Sequence, residues 1–107
     1  MAFDPVAAAV DWLDAYRAGD IEAILQMYAD DAVTECGCDG VTIGGRESLR
    51  SYWVRRLKEY PASRLDDLKP SEDGATILYV ARGGIVCASL EFDDSGRIAV
   101  LRCWPMK

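Results

Sequence analysis

Residues 17–45, RAGDIEAILQMYADDAVTECGCDGVTIGG, decide the fold. Gly19 stands where a helix C-terminus takes a left-handed residue. Asp20 follows as an N-cap, with a carboxylate that accepts from the free amides of the next turn. Ile21, Ile24, Leu25, Met27 and Tyr28 make one apolar stripe at mostly helical spacing, with Glu22, Gln26 and Asp30 opposite. The spacing predicts a second helix that starts at Asp20 and stops by Asp31, because paired carboxylates oppose the negative end of the helix dipole. A short strand then runs toward the Gly44-Gly45 turn.

Upstream, Asp4 is an N-cap and Pro5 suits the first helical position, where its missing amide costs nothing. Val6, Ala9, Val10, Leu13 and Tyr16 form an apolar stripe with Trp12 beside it. Downstream, a third helix is predicted from about Arg46 to Tyr60. Leu49, Tyr52, Trp53 and Leu57 share one side, Arg50, Arg55, Arg56, Lys58 and Glu59 lie elsewhere, and Pro61 ends the helix. From there the period becomes alternating. Residues 62–69, 75–82, 84–92 and 97–104 read as strands, joined by turns at Glu72-Asp73-Gly74, Gly83-Gly84 and Asp93-Asp94-Ser95-Gly96. Helices followed by a run of strands predict an α+β domain whose antiparallel sheet is covered on one face.

Length and composition restrict the function classes. A chain of 107 residues holds one core, so one domain over 1–107 is expected. Acidic residues outnumber basic ones 18 to 12 for a net charge of -6, which disfavours nucleic acid as a partner. No stretch approaches the roughly 20 apolar residues of a membrane span, and the start lacks a basic leader, so a cytoplasmic protein is expected. Four cysteines then read as thiols rather than disulfides. No nucleotide or flavin fingerprint is present, and the Gly-Gly pairs read as turns, so no cofactor is expected.

The AGD turn at Ala18–Asp20, YADDAV at Tyr28–Val33, the GGRE that opens the third helix and the final DSGRI hairpin, in this order, resemble the nuclear transport factor 2-like superfamily. Its members include SnoaL-like polyketide cyclases, ketosteroid isomerase, scytalone dehydratase and limonene epoxide hydrolase. The resemblance covers nearly the whole chain. It implies a cone-shaped curved antiparallel (mixed) sheet packed against three N-terminal helices, commonly as a homodimer around a pocket.

Carried over from ketosteroid isomerase, a tuned acid–base pair, the general-base Asp falls on Cys36, the oxyanion-hole Tyr on Trp12 and the protonated Asp on Ala88. A supporting Tyr is kept at Tyr28, and another has become Trp53. Cyclases and dehydratases of the family use His with Asp, and this chain has no His. An Asp-Arg-Asp arrangement like that of the epoxide hydrolases could draw on Asp31, Glu35, Arg46, Arg82, Glu91 and Arg102, but nothing in their spacing makes them converge.

Strand parity sorts the side chains. With Cys36 facing the pocket, Glu35 points away unless a bulge at Gly37 resets the alternation. Val86, Ala88, Leu90 and Phe92 face in, Cys87 and Glu91 out. Leu101 and Cys103 face in, Arg102 and Trp104 out. The pocket so drawn consists of Trp12, Tyr16, Tyr28, Cys36, Trp53, Leu90, Leu101 and Cys103, and suits a small hydrophobic ligand. Aromatics on helical stripes more often pack a core than touch a ligand. The Cys36-Gly37-Cys38 motif with two distant thiols is a weak metal signal, so no metal is expected. Ile98, Val100 and Trp104 with Ile85 and Cys87 make an apolar outer sheet face, which predicts a homodimer.

The sequence therefore leads to a small-molecule binding protein. Two alternatives stand beside it. One is an isomerase, dehydratase or cyclase using Tyr16, Tyr28, Cys36 or Glu35. The other is an accessory or dimerisation module whose cone is filled by its own side chains.

Overall fold

A computed structural model describes residues 3–38 and 40–106. The expected single domain over 1–107 is thus seen apart from Met1, Ala2, Asp39 and Lys107, which lie outside the described residues. The elements are α1 (Pro5–Ala18), α2 (Ile21–Met27), β1 (Tyr28–Cys36), β2 (Val41–Gly44), α3 (Arg46–Glu59), β3 (Ala62–Ser71), β4 (Gly74–Ala81), β5 (Gly84–Phe92) and β6 (Ile98–Pro105). This is the α+β architecture expected: three helices packed on one six-stranded, open, mixed sheet.

The caps act as the sequence predicts. Asp4 accepts from the amides of Val6 and Ala7, and Asp20 from that of Ala23 at 3.1 Å. Gly19 has φ of 70°, and its N–H and that of Asp20 close back onto the carbonyls of Tyr16 and Ala15. The second helix is shorter than expected, however. It ends at Met27, and Tyr28 already has extended backbone, so Asp30 and Asp31 lie exposed on β1 and do not cap a helix end. Asp30 instead pairs with Arg46 at 3.1 Å. A second correction is that residues 28–44 form a hairpin, β1 with β2, where one short strand was expected.

The strand order is β2-β1-β6-β5-β4-β3, with β1 and β6 parallel and every other pair antiparallel. Register shifts interrupt β1/β6, β3/β4 and β5/β6. Each adds a local bend, so the sheet curls over the helices. α1 packs against β3 and β4, while α3 packs against β1, β2 and α2. Among the described residues no helix is long and apolar enough to cross a membrane.

Inward and outward faces follow the predicted parity with one exception, although Cys87, expected outward, is itself buried. Leu101 and Cys103 are buried while Trp104 is exposed; Ala88 and Leu90 are buried. Ile98, assigned to the outer face, is instead in the core. The β5/β6 bulge pairs Glu91 with Val100 and Phe92 with Ile98, skipping one residue and reversing the face on which Ile98 lies.

Candidate functional site

The eight residues expected to line a pocket are all buried and belong to one continuous core. Most of them pack against one another. Trp12 meets Tyr16, Trp53 and Tyr79 edge-on at 5.6, 6.0 and 5.7 Å, and Tyr16 meets Trp53 at 4.9 Å. Of the eight, Cys36 and Cys103 line a cavity by the β1–β2 turn. The ring contacts pack the deep part of the cone, where an apolar ligand was expected between Trp12, Tyr28 and Trp53. Tyr28 serves the packing of the core. It accepts from Trp53 Nε1 at 3.3 Å and shares a hydrogen bond with Thr34 Oγ1 at 2.8 Å. Burial pushes the Tyr28 hydroxyl up to about 12, against the lowering effect of those two hydrogen bonds.

At the centre of this packing lies a residue that its charge, read from the sequence, sets on the other side of α3. Arg56 is 1% exposed. Its Nε donates to Tyr16 Oη at 3.1 Å, its Nη1 to Cys36 Sγ at 3.4 Å, and its Nη2 to Tyr79 Oη at 3.2 Å and Cys38 Sγ at 3.8 Å. The guanidinium stacks 4.7 Å over the ring of Tyr60, and Tyr16 Oη donates to the Tyr60 carbonyl. No carboxylate pairs with Arg56 among the described residues. The stripe itself could have located it: Leu49, Tyr52, Trp53 and Arg56 stand at i, i+3, i+4 and i+7, one helical face with a cation at its end. Tyr79 likewise follows from alternation with the buried Ala75, Ile77 and Ala81.

The thiols gather around the same cation. Cys36 and Cys103 are partners across the parallel β1/β6 register, and Cys103 Sγ donates to Cys36 Sγ at 3.5 Å. Cys38, brought round by the turn after Gly37, completes a group of three sulfurs within 4.8 Å of one another. The sequence leads one to count two thiols as distant from the Cys36-Gly37-Cys38 motif; only Cys87 is. The hydrogen bond to Cys36, followed by burial, raises the Cys103 thiol above its usual range. Tyr52 Oη sits 3.9 Å from Cys103 Sγ, and burial raises the hydroxyls of Tyr16, Tyr52 and Tyr79 as well. Trp12 Nε1 is a buried donor with no acceptor among the described residues.

A cavity of about 210 Å³ opens at the mouth of the cone between Cys38, Tyr60, Arg82, Val86 and Met106. Two of its wall residues, Cys38 and Tyr60, are the ones that cover Arg56. A second cavity, of about 310 Å³, lies by the β1–β2 turn and reaches Glu35, Val41, Arg102 and Trp104.

Glu35 is not in the cone. It lies on the outer face, where Arg102 bridges it, at 3.4 Å, to Glu91. A carboxylate–arginine–carboxylate set thus does converge, contrary to expectation from the spacing, but half exposed and outside the cone. This ionic bridge also runs through the middle of the face expected to be apolar.

Comparison with known proteins agrees with this geometry. Residues 9–101 match the SnoaL-like domain family. The fold is also that of a SnoaL-like protein of unknown function from Burkholderia thailandensis E264, at a TM-score of 0.81 with 20% identity over 92% of each chain. With this match over most of its length, and with its three helices and curled mixed sheet, the chain belongs to the SnoaL-like domain family of the nuclear transport factor 2-like superfamily.

Proposed function

We propose that residues 1–107 form one ligand-binding domain that holds a small molecule with an apolar body and an anionic or strongly electron-rich oxygen head at the mouth of the cone. Arg56 is the anchor, and its burial without a carboxylate partner among the described residues is the observation that carries the reading. A desolvated guanidinium is costly unless a negative group shares its site. Its present acceptors are hydroxyls and sulfurs, and the Cys38 contact is long at 3.8 Å. An oxyanion is a stronger acceptor, and a charge-assisted bond to it gives roughly twice the strength of a neutral one. The mouth cavity, about 210 Å³, is below the ~300 Å³ at which drug-sized sites begin, so the ligand is small. Ile85, Val86 and Met106 supply an apolar wall for its body.

The purely hydrophobic ligand suggested by the sequence is thereby replaced by an amphiphilic one, such as an aromatic or short aliphatic acid. Titrating benzoate and phenylacetate while following Trp fluorescence and melting temperature tests this. Saturable binding by wild type that is lost in Arg56→Met supports the reading. Equal responses from both proteins, or none from either, contradict it.

The closely packed interior favours a second reading, an accessory module that binds nothing in its cone. Both readings include a homodimer through the outer sheet face, where Trp104 is 40% exposed beside Val100 and Ile85. Four thiols suit a reducing compartment, and the proposal puts the protein in the cytoplasm.

A further inference from the structure

We infer that Cys36, Cys38 and Cys103 form a binding site for one thiophilic divalent ion of the zinc class. Their Sγ atoms already lie within 4.8 Å of one another, with Cys36 and Cys103 at 3.5 Å. Zinc–thiolate bonds of about 2.3 Å in tetrahedral geometry separate their sulfurs by about 3.8 Å. The cluster therefore reaches coordination geometry by shifts of about 1 Å or less. The three ligands are also held in place from the backbone. Cys36 and Cys103 face each other across paired strands, and Gly37 N–H donates to the Cys103 carbonyl at 2.7 Å, which ties the turn carrying Cys38 onto β6. A Cβ on Gly37 would come 2.9 Å from that carbonyl, so the close approach depends on glycine.

Charge selects the class of ion. On binding a divalent cation the three thiols release their protons to solvent, and the resulting group, with one net negative charge, lies beside the single positive charge of Arg56 in the same desolvated space. The guanidinium is already hydrogen-bonded to two of the three sulfurs, at 3.4 and 3.8 Å, in the way outer-shell donors orient and stabilise coordinated thiolates. A monovalent ion would leave the buried group negative. Soft sulfur donors prefer zinc-class ions to magnesium or calcium. Cys38 borders the mouth cavity and gives the ion a path from solvent. Three protein ligands also leave a fourth position open, as in zinc sites that bind water or substrate.

The test uses the full chain under a non-thiol reductant, titrated with Co(II) and then with Zn(II). The expected result is thiolate-to-cobalt charge-transfer absorption that saturates at one equivalent and is erased by zinc. Cys38→Ser should weaken zinc at least about 100-fold, and Arg56→Gln about 10- to 100-fold. Cys87→Ser should leave binding unchanged. Cys38 is only half-buried, and a melting curve without metal checks that its variant is folded. Independently of any variant, X-ray absorption on zinc-loaded wild type counts three sulfur neighbours if the site is right. No charge-transfer absorption, absorption that survives Cys38→Ser, or a zinc shell of nitrogen and oxygen alone would overturn the proposal.

Discussion

A guanidinium buried among hydroxyls and thiols is there either to hold the core together or to meet something negative, and single residues separate the two. If Arg56 were structural, replacing it with Met would leave Tyr16 and Tyr79 short of a partner and lower stability. If it is held for a ligand, its desolvation offsets its hydrogen bonds, and Arg56→Met is neutral or stabilising in the ligand-free protein. We expect the second, with a melting temperature equal to or above that of wild type. Tyr28 is the contrasting residue, with no part in binding. Tyr28→Phe strands Thr34 Oγ1 and Trp53 Nε1 in the core and should cost about 1–3 kcal/mol by chemical denaturation.

Tyr28 also sets a pH dependence. Its folded value is about 12 against an ordinary 10, so below pH 10 both states keep the proton. Between about 10 and 12 the unfolded chain binds fewer protons than the folded one, and stability falls as pH rises, by up to about 3 kcal/mol from this residue alone. Denaturation at about pH 9 and about pH 11 should show a shallower decline for Tyr28→Phe than for wild type. Equal declines would mean that Tyr28 does not carry this effect.

Among the elements, what was legible in the sequence is what local chemistry controls. Caps at Asp4 and Asp20, the left-handed Gly19 and the alternation in β5 act over a few residues and match expectation. The differences arise where distant partners decide. Helix α2 gives way to strand at Tyr28 because β1 has β2 and β6 to pair with, and those ladders outweigh a helical stripe. Ile98 turns inward because a bulge intervenes, and Arg56 is set apart by its charge although its position continues the buried stripe. Only the folded β1/β6 register brings Cys103 to the Cys36-Gly37-Cys38 turn.

The tightest inter-strand approach gives an element-level prediction. A Cβ on Gly74 would lie 1.8 Å from the Leu90 carbonyl oxygen, which belongs to the strand ladder and cannot yield cheaply. Gly74→Ala should therefore cost about 3 kcal/mol or more. Asp20→Ala, which removes one cap hydrogen bond at an exposed site, should cost about 1 kcal/mol. Urea melts of the two variants check the order, and an Asp20 effect as large as that of Gly74 would contradict it.

At the scale of the whole molecule, a closely packed aromatic cone encloses a buried cation beneath its mouth, and the outer sheet face leaves Trp104 exposed. The central claim is that Arg56 is held for an anionic head group. Native mass spectrometry of freshly purified wild type and Arg56→Met, each compared with its denatured mass, tests this most directly and reads the oligomer at the same time. The predicted result is a wild-type dimer carrying a reproducible small organic acid that the Arg56→Met dimer lacks. A wild-type protein of bare sequence mass, or one whose added mass persists in Arg56→Met, would contradict it.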